Sequence, residues 1–113
     1  MRILVCGGRN YENWYILKTV LDNFKCPDMV VIEGGAAGAD LLAKMWAQNN
    51  GIPCKTFFAE WKDHGRRAGP IRNKQMLVEG KPDLVIAFPG GKGTANMVKQ
   101  AEKAGVEIFH VKE

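Results

Sequence analysis

The residues with the clearest chemistry are Pro89-Gly90-Gly91-Lys92-Gly93-Thr94. They stand where an apolar run, residues 83–88, gives way to a stretch with helical spacing, residues 95–104, whose Val98, Ala101 and Ala104 form one stripe. Such a continuous apolar run is the pattern of a strand buried on both faces. Three glycines in four positions at this junction let the backbone approach a ligand closely. The amides of a helix's first turn have no intrahelical partners and can point at an anion, most often phosphate. A plain tight turn would need only one or two glycines, whereas Lys92 and Thr94 add a charge and a hydroxyl. The loop is not a Walker A motif, because the four-residue spacer and the Lys-Ser/Thr ending are missing.

Two more glycine loops follow apolar runs. Residues 2–6 lead into Gly7-Gly8-Arg9-Asn10, and residues 29–32 lead into Glu33-Gly34-Gly35-Ala36-Ala37-Gly38-Ala39-Asp40. Residues 54–58 and 106–111 complete a set of five expected strands. Between them, residues 12–24 place Trp14, Leu17, Leu21 and Phe24 on one helical face, and a second helix carries Leu41, Leu42, Met45 and Trp46 at core spacing. Residues 59–70 read as irregular, and residues 71–78 as a helix that ends at Gly80. Alternating strands and helices predict a parallel sheet. The expected fold is α/β, a three-layer Rossmann-like domain spanning residues 1–113, with strand order 3-2-1-4-5 and helices on both faces. Loops one, two and four then converge at the carboxyl edge of the sheet, where open α/β folds bind ligands.

Several side chains could act in that cleft. Arg72, at the expected helix start, is unfavourable to the helix dipole and so better explained by a ligand phosphate. Arg9 could contact the ligand or form a surface ion pair, and Arg66 and Arg67 include at least one solvated residue. Asp40 could be a helix-start carboxylate or a ribose-hydroxyl acceptor, and Glu33 is similar. Trp61 could stack on a base or anchor its loop. His64 has no partner near it in sequence, and His110, Trp14 and Trp46 read as structural.

Composition narrows the classes. The chain has 113 residues, a net charge of +4 and 46% hydrophobic residues, which suits one domain with its own core. No apolar run is long enough for a transmembrane helix, and the strand at Arg2 leaves no room for a signal peptide. Three widely separated cysteines, Cys6, Cys26 and Cys54, argue against a disulfide framework or a zinc site and for a cytoplasmic setting. The lysines are scattered, and only Arg66-Arg67 with Arg72 forms a concentration, so charge alone points weakly to nucleic acid. Neither cofactor nor metal is expected.

The motif at 89–94 resembles the Pro-Gly-Gly-x-Gly-Thr signature of the LOG phosphoribohydrolases, and Cys6-Gly7-Gly8 and Gly34–Gly38 are similar to their earlier loops. The wider SLOG superfamily includes the DNA-processing protein DprA. The pattern resembles most the YspA-like SLOG family, through Gly7-Gly8-Arg9-Asn10-Tyr11, Gly34 to Asp40, Ala59-Glu60-Trp61, Ala68-Gly69-Pro70-Ile71-Arg72-Asn73 and Ala87 to Ala95. This resemblance implies a nucleotide-derived ligand and a homodimer or larger homo-oligomer. It implies a site made of Gly7, Gly8, Arg9, Gly34, Gly35, Gly38, Asp40, Trp61, Arg72, Asn73 and the Pro89–Thr94 loop. The chain departs from LOG enzymes where their catalytic glutamate stands, because that position holds Met97, and Asn73 replaces their lysine. A thioether can neither transfer a proton nor stabilise positive charge as a carboxylate does. The leading expectation is therefore a ligand-binding module or sensor. Nucleotide N-glycoside hydrolysis by Glu33, Asp40 or Glu60, and single-stranded DNA binding, stand as alternatives.

Overall fold

Five short strands, β1 (Arg2–Cys6), β2 (Val30–Glu33), β3 (Cys54–Thr56), β4 (Leu84–Ala87) and β5 (Glu107–His110), pair in parallel in the order β3-β2-β1-β4-β5. The computed structural model describes all 113 residues. β1 lies centrally, with Leu4 beside Ile32 of β2 on one side and Val85 of β4 on the other. Alternation along the strands divides the core in two. Ile3, Val5, Leu84, Ile86 and Phe88 face α1 (Trp14–Phe24) and α2 (Ala39–Asn49). Leu4, Cys6, Val85 and Ala87 face α4 (Ala68–Gly80) and α5 (Lys92–Lys103). The result is the expected three-layer Rossmann-like α/β fold. No helix is long and apolar enough to cross a membrane.

The structure corrects the expected elements in four places. Residues 59–70 are mostly helical: α3 (Trp61–His64), a 3-10 turn (Gly65–Arg67) and the start of α4. Pro70 is the third residue of α4, where a missing N–H breaks no helical bond. Arg72 is accordingly inside α4, and the helix-start dipole argument does not apply to it. In α2 the buried face is Ala39, Ala43, Trp46 and Ala47, while Leu41 and Met45 are exposed. In α5 the buried residues are Met97 and Ala101, and Ala104 is exposed.

Candidate functional site

β1 and β4 are neighbours, but the chain leaves β1 for a helix on one face and β4 for a helix on the other. A crevice opens between the departing loops, as the topology of such sheets requires. Here it is a cleft of about 970 Å³.

Its floor is made of backbone. The Gly8 amide donates to the Pro89 carbonyl (2.9 Å), and the Gly8 carbonyl accepts from Tyr11 and Ala39, both at 3.2 Å. One residue thus ties three glycine loops together. Close approach makes small residues necessary: a Cβ on Gly7 would lie 2.6 Å from that of Ala39, and one on Gly38, at φ 77°, would meet the Gly8 carbonyl oxygen. Gly91 and Gly93 differ, because a Cβ at either would meet nothing within 4 Å. Gly91 precedes α5 without a side-chain cap, and the first helical bond joins the Ala95 amide to the Gly91 carbonyl. The amides of Lys92, Gly93 and Thr94 are therefore free, under open space.

α4 supplies the side wall. Arg72 donates from Nη1 to the Gly34 carbonyl and from Nε to Asn73 Oδ1 (3.1 Å), which fixes the guanidinium and leaves further donors unused. A Cβ on Gly34 would collide with that guanidinium. Burial and the nearby Arg9 charge lower the Arg72 pKa, whereas Asp40 and Glu33 support its charged form. Asn73 is buried, and its Nδ2 donates to the Gly93 carbonyl (3.3 Å) and to Asn96 Oδ1 (3.1 Å), joining α4 to the start of α5. Trp61 from α3 stands over Gly69, with the Arg9 guanidinium 5.4 Å from its ring centroid.

Charge is unevenly distributed here. The lining contains Arg9, Arg66, Arg72 and Lys92 but a single carboxylate, Asp40. The one ion pair of the molecule within 4 Å is Lys18–Asp22, far from this cleft, so no cleft cation has a carboxylate partner at that range. Asp40 accepts from the Ala36 amide at 3.2 Å, and burial pushes its pKa up to about 6. Cys6 also lines the cleft, but burial raises its thiol to about 12, which leaves it protonated and unreactive.

Of the sequence-predicted residues, Gly7, Gly8, Arg9, Asp40, Trp61, Arg72, Asn73 and Pro89 to Thr94 line the cleft. Gly34, Gly35 and Gly38 do not. They shape the second loop, with Gly35 at φ 72° under the Phe58 ring and its amide donating to Glu33 Oε1 (2.6 Å). Glu33 is sealed beneath that loop, accepting from Thr56 and Cys54 as well. Glu60, His64 and Arg67 lie outside the lining, and Met97 is core. The site expected from the sequence lacked Cys6, Asn10, Tyr11, Gly69, Pro70, Met76 and Asn96. Asn96 carried a usable signal: it stands three residues after Gly93, on the same face of α5.

Five parallel strands in the order β3-β2-β1-β4-β5, with helices on both faces, define a Rossmann-like domain. The profile of the YspA, cpYpsA-related SLOG family matches residues 1–64. The Gene 61 protein of Mycobacterium phage D29 is 32% identical over 120 residues, covering 96% of this chain and 94% of that protein. The chain belongs to this SLOG family. Two solved structures share the fold at 17% identity. DNA processing protein A (DprA) from Streptococcus pneumoniae matches with a TM-score of 0.80 over 99% of this chain, which spans half of that protein. TM1055 matches with a TM-score of 0.72 over 95% of this chain and 71% of its own.

Proposed function

We propose that this domain binds a nucleotide-derived, phosphate-containing ligand at the carboxyl edge of its sheet, as a sensor or ligand-binding module. The observation that carries the reading is the set of cleft cations with no carboxylate within 4 Å beside the free amides that open α5. Burial disfavours the Arg72 charge, which Asp40 supports and Arg9 opposes at longer range, so an anion placed against the free donors of this guanidinium would stabilise it further. Phosphate satisfies both the fork of Arg72 and the amides of Lys92 to Thr94. Trp61 offers a ring face for a base. A thermal-shift panel of AMP, ADP, ATP, ADP-ribose, NAD, cyclic nucleotides and short single-stranded DNA tests this. A ligand at a hundred times its Kd adds about 2.7 kcal/mol. Lys92 is exposed, so Lys92→Ala should abolish the shift and leave the unliganded Tm unchanged. No shift with any nucleotide would end the proposal, and a shift with DNA alone would replace it.

A second reading, hydrolysis of a nucleotide N-glycosidic bond, is favoured by one observation. Asp40, with its pKa near 6, is the one carboxylate available in the cleft. Release of free base from AMP that disappears in Asp40→Asn is the expected signature. Ligand binding without base release would reject it.

A further inference from the structure

We propose that Asp40 reads the sugar of the ligand, so that the site takes ribonucleotides in preference to 2′-deoxyribonucleotides. This inference rests on the phosphate-binding reading above.

Folding accounts for the charge on Asp40 only in part, through its place in the first turn of α2, where the helix dipole favours a carboxylate. Its hydrogen-bond partners are amides of the second loop, Ala36 to Oδ2 with Gly34 also favouring the charged form, and an asparagine oxygen would accept from Ala36 as well. No cation lies within 4 Å of it, although Arg72 is near enough to favour its charged form. The side chain is only 7% exposed, so its carboxylate is retained at the expense of desolvation. A cleft that gathers four cations for an anion nevertheless presents this one carboxylate to it.

A phosphate bound against Asp40 would be repelled. The part of a nucleotide that suits a carboxylate is a neutral group with hydrogen-bond donors. Two groups qualify, the sugar hydroxyls and the amino groups of the bases. Asp40 opens α2 on the cleft floor, electrostatically coupled to Cys6 at the end of β1 and to Arg72. The exposed aromatic face, Trp61, belongs to the outer wall with Arg9 and Arg66. In a ligand whose phosphate meets Arg72 and whose base meets Trp61, the sugar is the part that crosses the floor. With about four lone-pair sites and only the Ala36 and Gly34 amides directed at it, the carboxylate retains acceptors for a vicinal diol.

The test compares the four ribonucleoside diphosphates with their 2′-deoxy counterparts by calorimetry, using the intact chain and Asp40→Asn, with pyrophosphate as a base- and sugar-free control. A hydrogen bond to a charged group predicts a ribose preference of about tenfold to a hundredfold. It should hold across bases and collapse towards unity in Asp40→Asn. Equal affinity for both sugars, a preference that follows the base, or a ribose preference unchanged in Asp40→Asn would each overturn the inference. Pyrophosphate binding as tightly as every nucleotide would also overturn it while leaving phosphate recognition intact. If neither pyrophosphate nor any nucleotide binds, phosphate recognition itself fails, and the inference falls with it.

Discussion

The cleft has two sides built on different principles. Its floor is backbone locked to backbone, three loops tied through Gly8 and kept close by glycines that admit no Cβ. Its outer wall, α3 and the 3-10 turn, buries none of its residues. That wall rests on hydrogen bonds from the Asp63 and His64 amides to the Glu60 carbonyl and from the Gly65 amide to the Trp61 carbonyl, on the contact of Trp61 with Gly69 and on the Arg9 guanidinium over the Trp61 ring. The end suited to phosphate is therefore preorganised and binds without an ordering cost. The end suited to a base has the weak local packing from which adjustable ligand-binding segments are drawn.

The sharpest way to break this contrast is to put the same substitution on both sides. Gly38 and Gly65 both have positive φ, 77° and 56°, but a Cβ at Gly38 strikes the Gly8 carbonyl while one at Gly65 meets open space. Gly38→Ala should combine backbone strain with a clash and lose about 3 kcal/mol or more. Gly65→Ala, at φ 56° and ψ −129°, should lose only the backbone strain of that glycine-favouring region, about 1–3 kcal/mol, with no clash added. Urea melts of the two variants decide it, and equal losses would mean that the floor is no more rigid than the wall.

Asp40→Asn should come next, with a sign set by pH. Asp40 titrates at about 6 when folded, raised from 3.8 by burial, so the folded state favours the protonated form. The carboxyl group therefore costs nothing below about pH 4, and stability falls as pH rises through 6. At 1.36 kcal/mol per pKa unit the full penalty is about 2–3 kcal/mol. Asparagine keeps the acceptor for Ala36 and removes the charge. The variant should be more stable than the natural chain at pH 7 and equal to it at pH 3.5, as denaturant midpoints across that range would show. A gain at neutral pH also means that any loss of ribose preference in this variant is not a folding defect.

Gly93→Ala separates fold from site. Gly93 is the second residue of α5, and nothing lies near its missing Cβ. Alanine there should stabilise the helix by up to about 1 kcal/mol. The same methyl group would project into the space a phosphate needs. A higher Tm with a weaker thermal shift is the expected pair of outcomes, and unchanged ligand response would remove the free α5 amides from the site.

The floor was far more legible in the sequence than the wall, for the same physical reason. Glycines between apolar runs announce loops that approach each other, and period-two and period-3.6 patterns announce the strands and long helices. The segment 59–67 offers no apolar periodicity because it faces solvent, so α3 and the 3-10 turn left no trace. Pro70 fell at the end of the expected irregular segment because chemistry alone does not say whether a proline lies before a helix or within its first turn. The face of α2 was misread because Leu41 and Met45 outweigh alanines in any hydrophobic pattern. The sheet needed small residues there, with Ala39 against Gly7. Arg72 was placed in the site on an argument its position inside α4 removes, and what puts it in the cleft is its grip on Gly34.

Trp61→Ala should disturb the fold least and test the wall most directly. The ring is about half exposed and its contacts are with Gly69 and Arg9, so its removal should change stability by no more than about 0.5 kcal/mol. Binding should respond in a specific way. Stacking is worth about 1–3 kcal/mol per base, so nucleotides should lose affinity while pyrophosphate, which has no base, should keep it. Calorimetry with ADP and pyrophosphate on the same variant separates the two ends of the cleft. Equal loss for both ligands would mean that Trp61 supports the floor after all, through the Arg9 it carries. An unchanged ADP affinity would leave the base with no platform on this wall. Loss confined to ADP is what a rigid anion floor beneath a soft aromatic wall requires.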